Sequence, residues 1–339
     1  MAAPFPIFSG FIETGFEQRF QGLLRQAWRQ RSWHVIVAEP GSGKSMGIRD
    51  LVEACTHARS SIGGRSYPVL AVTASKNDPK EAALGNNLML AMNLSPHGRW
   101  SERKYTLPYV LQNYGVECII IDDAHDLSMQ HLIFVKELTD QLRLPPYDHP
   151  LGLCLVAAGR GAAVPLKDSF DQPETMWLQF RRRLDRVQPY CRIASHTQEE
   201  VRDIVGALER ISHPHFPALN LQQWTTAIYT WLTHPLLDPQ TSGRVNMDLL
   251  MKLVTTALEW SYAEARTDVI AQTLEAAAQL LLLTRDNIPV IDAPASKQAQ
   301  TTSKEETPGQ ASAPRPKKRR RAKEGQPERS SAPLSEPGG

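Results

Sequence analysis

Apolar residues recur at helical spacing over residues 13–29, where Phe16, Phe20, Leu23, Leu24 and Ala27 make one stripe, and predict an amphipathic helix. Residues 33–38 form a short apolar run broken only by His34, too short for a helix and read as a buried strand. The alternation then repeats. Helices are predicted over 46–58, 79–92, 107–114 and 132–142, with a polar linker before the third and Pro145-Pro146 after the fourth. Strands are predicted over 68–74, 117–122, 151–158 and 190–193. Strands alternating with helices predict an α/β three-layer sandwich around a mostly parallel sheet.

From about Thr197 the strand pattern stops. Residues 199–211, 221–232, 245–260 and 269–283 all carry helical periodicity. A boundary is expected near His196, separating an α/β domain (1–196) from a small helical lid (197–293). From Pro294 onward the chain has no aromatic and almost no aliphatic residue. It cannot bury enough apolar surface to offset the entropy of ordering, so 294–339 is expected to be a disordered tail.

Charge changes this picture in one place. The net charge is only +2, yet the tail holds Arg315-Pro316-Lys317-Lys318-Arg319-Arg320-Arg321-Ala322-Lys323. Such a cluster attracts nucleic acid or another polyanion, and the same letters serve a nuclear import signal or a solubilising tail. No run of about 18 apolar residues occurs, so no membrane helix is expected. The N-terminus lacks a basic n-region and an apolar h-region, so no secretory signal is expected and a cytoplasmic location is. Cys55, Cys118, Cys154 and Cys191 are scattered and read as buried reduced thiols rather than a disulfide or zinc framework. His213 and His215 flank Pro214 in a linker and read as loop residues, without further ligands nearby to make a metal site.

The chemistry concentrates after the first strand, in Ala38-Glu39-Pro40-Gly41-Ser42-Gly43-Lys44-Ser45. Strand, glycine-bearing loop, Gly-Lys-Ser and helix follow in the order of a phosphate-binding P-loop. The N–H groups of Pro40-Gly41-Ser42-Gly43 and the helix start would converge on an anion, excepting the imino Pro40. Lys44 would reach the β- and γ-phosphates of ATP, and the Ser45 hydroxyl would ligate Mg²⁺. Ala38 stands where the strict pattern has its first glycine. A second half of such a site follows in Ile119-Ile120-Ile121-Asp122-Asp123-Ala124-His125. Asp122 would position the metal and Asp123 polarise a lytic water; alternatively the pair is an acidic turn capping the next helix. Arg181-Arg182-Arg183, just before the last strand, offers a planar, permanently charged phosphate ligand, or a solvated basic helix end.

Together the P-loop, the Asp122-Asp123-Ala124-His125 segment, the arginine cluster and the helical lid resemble the AAA+ ATPases. Within them the chain is most similar to the TniB/TnsC-type regulators of DNA transposition, over about residues 10–285. The resemblance implies an AAA+ sheet with the P-loop strand central, and ATP held between subunits of a ring or helical filament. One subunit would supply Lys44, Ser45, Asp122 and Asp123, and its neighbour Arg182 or Arg183. The oligomer would coat double-stranded DNA, mark a target and recruit the transposase, on signals from a target-selecting protein that in some elements is a CRISPR effector. ATP hydrolysis would disassemble it. Asp123 replaces the usual Glu, which implies slow hydrolysis. No sensor residue can be named in Ala157-Ala158-Gly159-Arg160-Gly161, whereas Arg244 is the arginine of the lid's sensor segment. Lys76, Lys80, Arg99, Arg103 and Lys104 lie where similar ATPases face DNA, with Trp100 and Tyr105 among them as stacking candidates. Two other functions remain open: an AAA+ initiator or loader, although a winged-helix domain normally follows the lid there, and an ATP-switched signalling scaffold that never touches DNA.

Overall fold

A computed structural model describes residues 12–60, 66–159, 166–171, 175–184 and 189–286. Five strands, β1 (Trp33–Ala38), β2 (Val69–Thr73), β3 (Cys118–Asp122), β4 (Gly152–Ala158) and β5 (Tyr190–Ile193), form one sheet in the order β2-β3-β4-β1-β5. Every pairing is parallel. β1 thus lies between β4 and β5, which puts the loop after it at the carboxyl edge of the sheet, where open α/β folds bind ligands.

The two faces follow from the period of two along each strand. Trp33, Val35 and Val37 of β1, Ile119 and Ile121 of β3, and Leu153 and Leu155 of β4 enter one core. Ile36, Ile120, Cys154 and Val156 enter the other. Helix α1 (Gly15–Gln30) covers the second face through Phe16, Phe20, Leu24 and Ala27, beside α2 (Lys44–Ser60). Thr14 starts α1 by accepting the Glu17 N–H at 3.0 Å, an N-cap of the usual kind. The first face is covered by α3 (Glu81–Ala91), α4 (Trp100–Asn113) and α5 (Met129–Arg143). All four cysteines are buried.

The structure moves several expected boundaries. Helix α2 begins at Lys44 rather than residue 46. Helix α4 begins at Trp100 rather than 107. Its first turn carries no apolar stripe: Trp100 alone packs inward, on Phe134, and polar contacts to α3 add to it, Trp100 Nε1 and Lys104 Nζ both donating to Glu81 at 2.7 and 2.8 Å. Two short helices that the periodicity did not reveal, α6 (Lys167–Phe170) and α7 (Thr175–Arg181), follow β4. Phe170 stacks on Phe180 there, with Trp177 tilted against Phe170 and Trp33 against Phe180.

After β5 come α8 (Gln198–Ser212), α9 (Thr225–Leu232), α10 (Met247–Ala263) and α11 (Ala271–Asp286). They share a separate apolar core built on Val201, Ile204, Leu208, Ile228, Leu250 and Leu253. The expected 221–232 helix opens with a 3-10 turn at Gln222–Trp224. Val245 is not in α10; it pairs antiparallel with His196, through N–H···O bonds of 2.9 and 3.1 Å. No helix among the described residues is long and apolar enough to cross a membrane. The tail expected at 294–339, with its basic cluster, lies outside the described residues.

Candidate functional site

The loop after β1 turns through two glycines in the left-handed region, Gly41 (φ +72°) and Gly43 (φ +99°). That conformation strains any side chain with a Cβ. Lys44 is the first residue of α2 and is buried. Its Nζ folds back to donate to the Glu39 carbonyl at 2.9 Å. Burial pulls the Lys44 ammonium below its ordinary pKa, against the opposing pull of Asp122, Asp123 and Glu39. The Ser42 hydroxyl is buried without a hydrogen-bond partner among the described residues. Beside Gly43 there is open space where a Cβ would stand. A cation turned onto carbonyls, an orphaned hydroxyl and a helix N-terminus form a donor set that suits a polyphosphate.

Asp122 closes β3 beside this loop. One of its oxygens, Oδ2, accepts from Ser45 Oγ at 2.6 Å, and Oδ1 accepts the Asp123 N–H at 2.9 Å. A hydroxyl and a buried carboxylate in contact are hard oxygen donors of the kind Mg²⁺ takes. Asp123 sits at φ 50° before a 3-10 turn, Ala124–Asp126, without capping it through its side chain. The turn is tied to β4, since Ala158 N–H donates to His125 Nδ1 at 3.3 Å. Arg160 and Gly161, in the segment where no sensor could be named, lie outside the described residues.

The helical region reaches the same loop. Arg244 donates to the Ser195 carbonyl at 3.3 Å, and Ser195 Oγ donates to Glu39 Oε2 at 2.5 Å. Asn246, to which no role was assigned from sequence, donates from Nδ2 to the Pro40 carbonyl at 2.5 Å. The legible signal was an Asn directly before a helical run, an N-cap, but nothing local told which distant carbonyl it would meet.

The arginine cluster separates into different situations. Arg183 contacts Asp140 through two nitrogens, Nη2 at 2.6 Å from both carboxylate oxygens and Nε at 3.2 Å from Oδ1. Burial alone would raise the Asp140 carboxyl, yet Arg183 and then Lys136 hold it below its ordinary value. Arg181 lies 3.6 Å from Asp171. Arg182 is exposed and has no ion pair among the described residues. With Trp33, Arg31 and Arg143, Arg182 and Arg183 line a cleft at the amino ends of the strands, away from the chain's own P-loop. The DNA candidates divide too. Lys76, Lys80 and Arg99 are exposed. Lys104 is committed to Glu81 and Glu137, at 2.8 and 2.9 Å. Arg103 donates to Asn86 and lies over the Trp100 ring. Trp100 packs against Phe134 rather than standing free to stack, whereas Tyr105 is 78% exposed.

Comparison with known proteins agrees with this geometry. Residues 27–160 match a family model described as an AAA domain. No curated protein matches the chain. Among solved structures, the chain is similar to Cdc6p of Pyrobaculum aerophilum at 14% identity and a TM-score of 0.55, over 81% of this chain and 69% of that one. It is similar to the Aeropyrum pernix ORC2 protein, solved as ADPNP-ADP complexes, at 12% identity and 0.55, over 80% and 70%. It is also similar to the Aeropyrum pernix ORC1 protein in complex with DNA at 15% identity and 0.54, over 81% and 68%. At such identities the likeness speaks for the fold. The chain thus has the AAA+ P-loop fold, with its AAA domain match confined to residues 27–160 and its fold similar to that of Cdc6 and ORC proteins.

Proposed function

We propose that the chain binds ATP with Mg²⁺, hydrolyses it slowly, and uses the cycle to assemble on duplex DNA and leave it again as a regulator of DNA transposition. The observation that carries the nucleotide reading is the 2.6 Å contact between Ser45 Oγ and Asp122 beside the Lys44 loop. When bound, Mg²⁺ supplies positive charge to the β- and γ-phosphate oxygens. Lys44 exchanges its loop carbonyls for phosphate oxygens, and the N–H groups of Gly41, Ser42 and Gly43 bind the rest. Asp123 orients the attacking water. Its carboxylate is one methylene shorter than a Glu, which makes it a slow timer; unchanged turnover in Asp123→Asn would sink that role. Arg244, from the segment before α10, senses the γ-phosphate.

In this reading residues 1–196 bind nucleotide, 197–293 act as the lid, and 294–339 form a basic tether. Arg182, with no carboxylate partner among the described residues, is the arginine lent to a neighbouring subunit, while Arg183 stays with Asp140. Lys76, Lys80 and Arg99 contact phosphates, giving salt-sensitive binding with little sequence preference. The partners are further copies of the chain, a transposase and a target-selecting protein, CRISPR-associated in some elements. A second reading, an initiator or loader, is favoured by the fold shared with Cdc6 and ORC proteins.

Electron microscopy of the protein with duplex DNA and a non-hydrolysable ATP analogue tests the proposal. Nucleotide-dependent rings or filaments coating the DNA, to which the transposase of the same element binds, support it. Coats that ignore the transposase but load a second ring favour the initiator. Oligomers indifferent to DNA overturn both.

A further inference from the structure

Three consecutive residues of the P-loop are held from outside the loop. Glu39 takes the Ser195 hydroxyl at 2.5 Å. The Pro40 carbonyl takes the Asn246 amide, and the Gly41 carbonyl takes the backbone N–H of Asp248 at 3.0 Å. Asn246 also caps α10, its Oδ1 accepting that same Asp248 N–H at 2.9 Å. The fit is close: a Cβ on Gly41 would stand 2.5 Å from Asn246 Oδ1. The segment carrying Asn246 is itself anchored at Val245, whose backbone pairs with His196. A phosphate-binding loop works only when its N–H groups face the ligand, which requires its carbonyls to face away. Here the outward carbonyls at 40 and 41 are met by donors from the start of α10.

We infer that Asn246 is a positioning residue for nucleotide binding: it presets the P-loop by holding the Pro40 carbonyl outward, and thereby makes nucleotide affinity depend on where α10 sits. The inference rests on the proposed nucleotide site. This strap of Asn246 and Asp248 grips the loop at residues 40 and 41, ahead of Lys44, and neither residue is itself a candidate γ-phosphate ligand, so ATP and ADP are affected alike. By linkage, nucleotide in the loop holds the start of α10 in place to the same degree.

The test uses the full chain and two variants, Asn246→Asp and Asn246→Ser. Both are good N-caps and keep α10 capped. The carboxylate cannot donate to the Pro40 carbonyl, and the serine hydroxyl is too short to reach it. Affinities for fluorescent ATP and ADP analogues are measured, with kcat and KM. Loss of one charge-free hydrogen bond plus a misaligned loop weakens both nucleotides about ten-fold, with kcat within about two-fold of wild type. Amide exchange over residues 246–250 slows on ATP binding in the wild type and far less in the variants. Should wild type bind well and both variants match it, Asn246 is a helix cap alone and the inference falls. Should wild type bind neither nucleotide, the nucleotide site itself is wrong and the strap falls with it.

Discussion

Glu17 is a buried acid without adequate compensation, and replacing it with glutamine should stabilise the protein in a pH-dependent way. Its side chain projects from the first turn of α1 against Gly47 of α2, so close that a Cβ on Gly47 would overlap the carboxyl. The residue is 4% exposed, and nothing among the described residues donates to Oε1. Burial raises its pKa from 4.5 to about 7; a hydrogen bond with Gln21 and the charge of Arg25 oppose this, while Asp50 and Glu13 add to it. Because the folded state holds the proton more tightly than the unfolded chain, stability is full below about pH 4.5. It is lost as pH rises towards about 7, and the loss is constant above that. At about 1.36 kcal/mol per pH unit the loss is at most about 3 kcal/mol, and solvent screening brings it nearer 2. Glu17→Gln removes the charge and keeps the shape. Urea or thermal unfolding at pH 5 should find the two proteins within about 1 kcal/mol, and at pH 8 the variant ahead by about 2 kcal/mol, or roughly 4–8 °C. An offset that is the same at every pH would refute the reasoning, since a carboxyl with an ordinary pKa costs nothing that varies between pH 5 and 8.

Gly152→Ala should destabilise by about 1–3 kcal/mol in thermal unfolding, because the new methyl would stand 2.5 Å from the Ala27 carbonyl oxygen, a backbone atom that cannot swing aside. Arg183→Ala should lower stability by only about 0.5–1 kcal/mol, because the Arg183–Asp140 pair is partly exposed and Lys136 still reaches Asp140. Arg182→Ala should leave unfolding unchanged within about 0.5 kcal/mol and lower ATP turnover about 100-fold or more, as loss of a lent arginine does. Ser45→Ala should keep the fold and raise the Mg²⁺ concentration needed for half-maximal turnover, measured by titrating the metal at saturating ATP.

The fold was legible wherever the apolar period was strong. Strand β1 begins and ends where the pattern placed it, because Trp33 to Ala38 is buried on both faces; β5, at the sheet edge, also keeps its expected bounds while burying only Cys191 and Ile193. It was illegible where one inward tryptophan and polar contacts stand in for an apolar stripe, as at Trp100 and Lys104 near the start of α4. The P-loop and Asp122 could be paired from sequence because strand-end motifs meet at one edge of a parallel sheet, and Ser45 and Asp122 do meet. What each arginine or lysine touches could not be read, since partners such as Asp140 and Glu137 arrive from distant segments. Asn246 was hidden for the same reason: its cap is local, but its carbonyl is in the P-loop.

Lys44 and its loop are the centre of the proposed nucleotide site. Titration of the full chain with ATP and Mg²⁺ by calorimetry, beside Lys44→Ala, tests that most directly. Saturable one-to-one binding by wild type, weakened about 100-fold or more in the variant without loss of Tm, is the predicted result. Equal affinity in both proteins, or no binding by wild type, would contradict it.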